Sequence, residues 1–288
     1  MQKANKYSVF LYFVLVSTIL IIPLHSYASF HDSTESINKS ISGLSPLNKV
    51  IVLSDSAAKY VDSDFSKAIY FGELAISFFD NTMPDTLKTN VFKYLFTANH
   101  MIGNYAKALE YLYEELKIFE KDSDLNKQKI AGCYVNIGET YRAANDYDNS
   151  VNYLNKAFHI YSRMNNDLGN KGLSCAYERM AAVYFELAVN KKNDEYFIKS
   201  KECALKSIEL ADKYNLINKK ISNWNILGAC EMYKKNFDKA LEYFEKALNA
   251  AQAISDYNNR INIQVNIGTC YFEQKDFKKA IDICELAF

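Results

Sequence analysis

A small residue recurs along this chain at nearly constant spacing: Ala68, Ala108, Ser150, Ser200, Ala240 and Ala280 fall 40, 42, 50, 40 and 40 residues apart. Each sits three residues after an aromatic, at Phe65, Tyr105, Tyr147, Phe197, Phe237 and Phe277. Each opens a helix-period stripe that reappears seven residues on, at Ala75, Glu115, Ala157, Ser207, Ala247 and Ala287. An Asp or Asn precedes most of the aromatics, as at Asp64, Asn104, Asp146, Asn236 and Asp276. A unit of this length with two helical segments cannot bury both its faces alone, so neighbours must stack. The expected fold is all-α, a solenoid of about six helix-turn-helix units with a ~40-residue period.

The fifth unit carries the fullest pattern. Trp224, Leu227 and Gly228, then Phe237, Ala240, Phe244 and Ala247, match W-x-x-L-G followed by A-x-x-x-F. The third and sixth units repeat it as Asn136-Ile137-Gly138 with Tyr141 and Asn266-Ile267-Gly268 with Tyr271. On these residues the chain resembles a tetratricopeptide repeat protein over residues 49–288, which implies a right-handed superhelix. The units depart from the usual repeat of about 34 residues with a proline after the second helix. The chain has 3 prolines in all, so longer helices are expected. In the fourth unit an insertion is expected around Val189 to Asp194, where a tight turn should be. In the first two units Ser56 and Phe96 take the glycine's place, and the first is read as a cap.

The amino terminus reads as an export signal over residues 1–28. Lys3 and Lys6 precede an apolar run from Val9 to Leu24, and Ser26-Tyr27-Ala28 offers small residues at the spacing a signal peptidase needs. Cleavage is expected after Ala28, with an uncleaved anchor as the alternative, which would be the only membrane contact. A polar lead-in and capping segment over 29–48 follows. The expected location is therefore periplasmic or otherwise extracytoplasmic.

Lys and Arg total 34, as do Asp and Glu. Nucleic-acid recognition needs a concentrated basic surface, and this balance argues against it. The 6 cysteines in an exported chain raise the question of disulfides. Cys230 and Cys270, however, occupy equivalent places in successive units, where buried thiols act as small hydrophobes. Cys270 and Cys284 face each other across one hairpin and remain the pair to check. No C-x-x-C, H-E-x-x-H, G-x-S-x-G or phosphate-binding glycine loop occurs. No enzyme, cofactor or metal site is expected.

The first helices of a tetratricopeptide array line a concave surface suited to an extended peptide or a partner's helix. Counted from each helix glycine or its substitute, the groove-facing places hold Lys93 and Thr97 in the second unit, Asn136 and Glu139 in the third, and Arg179 in the fourth. Asn225 follows in the fifth and Asn266 in the sixth, with Arg142, Tyr233 and Phe272 one turn later on or beside that face. Lys93, Asn136 and Arg179 resemble the carboxylate-holding positions of chaperone-binding tetratricopeptide domains. Thr97 stands where that group has a second Asn, and Cys175 where it has a Lys. The alternative is that these are ordinary solvated residues.

An export signal, a short polar stretch and repeats opening with Asp64-Phe65-Ser66-Lys67-Ala68-Ile69 resemble the extracytoplasmic part of bacterial membrane-bound regulators. The sequence stops at Phe288 inside the second helix of the sixth unit, leaving an expected apolar flank around Phe272, Ile281 and Leu286. A truncated larger protein, a homodimer contact and a fraying helix all remain open. The function expected is an exported protein-protein interaction module; the alternative is the sensory part of a signal-transduction regulator.

Overall fold

The computed structural model describes residues 36–286. The expected export segment lies outside them, as do His25, His31, Ala287 and Phe288. Among the described residues, a helical stretch over 36–41 leads into twelve α-helices paired as six units. These are α1 Pro46–Tyr60 and α2 Phe65–Ile76, α3 Asp85–Met101 and α4 Tyr105–Glu120, α5 Lys127–Ala143 and α6 Tyr147–Arg163. The chain continues with α7 Asp167–Lys191 and α8 Asp194–Lys213, α9 Ile217–Tyr233 and α10 Phe237–Ala253, α11 Tyr257–Glu273 and α12 Phe277–Glu285.

The period has a simple origin. α9 and α10 are 17 residues each, and each is followed by a three-residue turn, 234–236 and 254–256, so α11 starts 40 residues after α9. The fourth unit differs because α7 runs for 25 residues and α8 for 20. The expected insertion around Val189 to Asp194 is therefore helical as far as Lys191, and the turn shrinks to Lys192 and Asn193. That stretch contains neither glycine nor proline to stop a helix. The extra turns also find partners: Asn190 donates to the Tyr147 hydroxyl at 2.9 Å, and Asp194 lies 3.7 Å from Lys234.

The turns inside units three, five and six close in one way. Asn145, Lys235 and Lys275 adopt left-handed φ angles of 62°, 63° and 65°. The next amide then reaches the carbonyl five residues back: Asp146 to Tyr141 at 2.8 Å, Asn236 to Glu231 at 2.9 Å, Asp276 to Tyr271 at 2.9 Å. This geometry satisfies carbonyls that a helix end would otherwise leave exposed. The Asp146 and Asp276 side chains go on to accept the amides of Asn149 and Lys279. At Asp146 and Asp276 one residue thus ends the first helix and caps the second, whereas Asn104 and Asn236 hold the same place without a side-chain cap bond.

Stacking follows from the small residues. Ala68, Ala108, Ser150, Ser200 and Ala240 are fully buried, and the helix glycines let side chains of the paired helix lie against backbone. A Cβ on Gly138 would stand 2.8 Å from Leu154, one on Gly228 2.5 Å from Phe244, and one on Gly268 2.7 Å from Cys284. Each second helix packs on the first helix of the next unit. First helices also touch one another, α1 on α3, α5 on α7, α7 on α9 and α9 on α11. An array whose first helices touch while its second helices are spread curves with the first helices inside. The six cysteines are unpaired, and no helix among the described residues is long and apolar enough to cross a membrane.

The left-handed lysines carry a steric cost that glycine does not. Replacing Lys235 or Lys275 by glycine should stabilise the array by about 0.5–1 kcal/mol each. Replacing Gly103, at φ 79° in the equivalent turn, by alanine should destabilise it by about 1 kcal/mol. Urea unfolding of the three variants measures both effects.

Candidate functional site

The inner face is built by the odd-numbered helices, and its most structured region lies where α5 meets α7. Arg142, at the end of α5, grips Glu139 one turn earlier with two hydrogen bonds, Nε to Oε2 at 3.0 Å and Nη2 to Oε1 at 2.6 Å. Its Nη1 reaches across to Glu186 of α7. Arg179 of α7 approaches the same Glu139 oxygen at 3.7 Å, too far for a hydrogen bond. Its Nε is buried with no acceptor among the described residues.

The electrostatics of this group follow from its burial. Desolvation alone would push the Glu139 carboxyl up. The Arg142 hydrogen bonds and the Arg179, Arg142 and His100 charges outweigh it and hold the group below its usual range. Glu186 goes the other way: burial raises it, and the single Arg142 contact only partly offsets this. His100 of α3 lies at the edge, with Nδ1 3.3 Å from the Thr140 hydroxyl of α5. Burial lowers its pKa; Glu139 opposes this, while Arg142 and Arg179 add to it. Below this cluster Lys219 of α9 donates to the buried Glu178 of α7 at 2.5 Å.

The structure thus brings Glu139, Arg142 and Arg179 into one network. It pairs Asn225 with Asn266 as well, the Asn266 amide donating to the Asn225 carbonyl oxygen at 2.8 Å across two units. Asn136 is half-buried one turn before Glu139. Lys93 is exposed on α3, and its charge bears on Glu115 rather than on the arginine network. Thr97 turns its hydroxyl back to the Lys93 carbonyl at 2.9 Å. Tyr233 and Phe272 sit at the ends of their helices, packed on Phe197 and Phe277 with ring centroids 4.8 and 5.6 Å apart.

Glu186 and His100 are the members that register counting from the glycines did not name. The sequence signal was present: His100 stands one 40-residue period before Thr140, and Glu186 two helical turns after Arg179. No group of histidine, cysteine, aspartate or glutamate suited to a metal ion occurs among the described residues.

The tetratricopeptide repeat family model matches residues 97–163 and 221–287. No curated protein sequence matches the chain. Among solved structures, the apo form of RapI is similar with a TM-score of 0.62 at 13% identity, covering 91% of this chain and 88% of that one. Aspartyl phosphate phosphatase F from Bacillus subtilis gives 0.62 at 13% identity, covering 89% and 74%. The signal-transduction ATPase PH0952 from Pyrococcus horikoshii, described as having a tetratricopeptide repeat sensor, gives 0.58 at 15% identity. That match covers 90% of this chain but 39% of the ATPase. At these identities the likeness is one of fold.

Neutralising Glu139 leaves two guanidinium groups without their shared anion. Glu139→Gln should lower stability at neutral pH by about 1–3 kcal/mol. Because the folded carboxyl titrates below its ordinary value of 4.5, its contribution is present above that value and lost as pH falls through the folded pKa. Denaturant midpoints measured from pH 7 down to pH 3 should fall more steeply for the parent than for the variant.

Proposed function

We propose that this chain, being a tetratricopeptide repeat protein and so a scaffold suited to protein-protein interaction, holds an extended peptide or a partner's helix along its inner face. The observation that carries the proposal is Arg179, which faces that surface beside a fully engaged Arg142 and donates no hydrogen bond to Glu139 at 3.7 Å. A partly exposed guanidinium with unused donors suits a carboxylate or a main-chain carbonyl, which it can hold by charge-assisted bonds. Asn136 and the Asn225–Asn266 pair offer both donors and acceptors for a peptide backbone. No catalysis, cofactor or metal enters this function.

Export belongs to the proposal through the sequence alone: the basic start, the apolar run and the small residues before Ser29. A second function, the sensing part of a signalling protein, is supported by the sequence layout and by the sensor description of the similar archaeal ATPase. Self-association is proposed through the last helix, where Ile281 and Leu286 are 58% and 68% exposed.

Peptides selected from a random library on the intact chain provide the test. Arg179→Ala combined with Asn136→Ala should weaken their binding at least tenfold, about 1.4 kcal/mol. Lys117→Ala, which removes an exposed ion pair with Glu114 on α4, should leave it unchanged. Equal affinity in the double variant would sink the groove proposal. Light scattering on the chain recovered from outside the cytoplasm should give a dimer of chains that begin at Ser29; monomers, or an intact amino terminus, contradict the corresponding part.

A further inference from the structure

The joint between the second and third units is built unlike the others. At the other four joints the first helices of neighbouring units pack together, whereas α3 and α5 do not do so to a comparable extent. The chain crosses this joint on six residues, 121–126, against three at each of the later joints. The packing of α4 on α5 is also the sparsest among contacts between a second helix and the next first helix.

Glu115 of α4 lies in this seam. It occupies the place that Ala75, Ala157, Ser207 and Ala247 hold in other units, all fully buried small residues. Its side chain is nevertheless enclosed, at 9% exposure. The seam's apolar wall is Leu112 and Leu116 of α4 with Ile130, Cys133 and Ile137 of α5. The Cys133 thiol of α5 lies beside the carboxyl and favours its ionised form. Lys93 of α3 and Lys129 of α5 are the cations that act on it. On the inner side of the same joint, His100 meets Thr140 at 3.3 Å and feels Glu139, Arg142 and Arg179.

We propose that this joint is a pH-controlled hinge: with Glu115 protonated the first two units are docked on the remaining four, and with Glu115 ionised the seam opens to admit water to the carboxylate. A neutral carboxyl costs far less to enclose in an apolar seam than an ionised one, and burial here outweighs the Cys133 thiol and the two lysines, which favour the ionised form. An ionised one in an apolar seam must gain water or a cation, and a loosely packed joint yields more readily than a tight one. Lys93 and Thr97 lie on one side of the hinge, Asn136, Arg142 and Arg179 on the other, so opening changes the spacing of the inner face. The hinge does not depend on a peptide ligand.

The sign follows from the titration. Burial pushes Glu115 from 4.5 up to about 7, with Cys133, Lys93 and Lys129 pulling the other way. A raised carboxyl favours the closed joint fully below its ordinary value, and the preference fades as pH rises through about 7. His100 is held below 6.5, so it stays largely neutral above that pH. With the open-state carboxyl at its ordinary value, the opening constant should rise about tenfold between pH 6 and pH 8.

Cys133, 3% exposed in the same seam, reports the opening. The intact chain is labelled with N-ethylmaleimide from pH 6 to pH 8. Modification at each cysteine is quantified by peptide mass spectrometry and normalised to the same peptide unfolded. The expected result is an about tenfold rise at Cys133, with Cys230 and Cys270, buried at tighter joints, unchanged. The rise should vanish in Glu115→Gln and also in Glu115→Ala, which restores the small residue of the other units. A flat profile at Cys133 in the parent, a rise that persists in both variants, or an equal rise at Cys230 would overturn the proposal.

Discussion

The array depends on how closely the two helices of a unit approach. At Gly138, Gly228 and Gly268 the facing Leu154, Phe244 and Cys284 occupy space that a Cβ would need. In the fourth unit Ala181 takes this role, and the Ser200 hydroxyl bonds directly to its carbonyl at 2.8 Å. With that distance fixed, the fully buried Phe244 and Leu154 fill the centre of their hairpins. Enough apolar surface then remains on each flank for the next unit. The first two units lack the glycine, and a close contact appears between units instead: Gly72 of α2 meets Leu95 of α3, where a Cβ would stand 2.6 Å away.

Most of this was legible in the sequence because it repeats. Period, helix order, the small-residue column and the aromatic that follows the cap all recur at fixed spacing. The fourth unit was harder: its added residues look like a loop when set against neighbours, yet Leu187 and Ala188 are buried and Asn190 bonds to Tyr147, so helix continues. Register counting put Glu139, Arg142 and Arg179 on one face and the structure joins them. It could not show that Arg142 spans to Glu186 while Arg179 stays 3.7 Å from Glu139, outside hydrogen-bond distance, because those distances depend on how two units are set against each other. Glu115 was visible as an exception in a column of alanine and serine. Its chemistry became apparent only with the apolar seam and the Cys133 thiol around it.

Polar groups mark where the solenoid is not uniform. The tight joints are sealed by apolar packing and by small buried hydroxyls, as where Asn223 of α9 donates to the Ser207 hydroxyl of α8 at 2.8 Å. The α5–α7 meeting on the inner face carries the arginine and glutamate network, and the α4–α5 seam carries the buried Glu115 carboxyl and a Tyr113–Tyr141 hydroxyl bond. Ion pairs and buried carboxyls add little to net stability compared with apolar packing. Their presence at these places fits specificity at the first and movement at the second.

Whether close helix approach sets the architecture is decided by Gly228→Ala measured beside Gly132→Ala. Both glycines lie inside helices, where alanine is intrinsically favoured by about 1 kcal/mol. Gly132 has only the Tyr161 hydroxyl within reach of an added Cβ, at 3.9 Å, whereas at Gly228 the Phe244 ring stands at 2.5 Å. Unfolding free energy should rise for Gly132→Ala and fall by about 1–3 kcal/mol for Gly228→Ala. Equal gains at both positions would contradict that role of close approach, since helix propensity alone would then describe the chain.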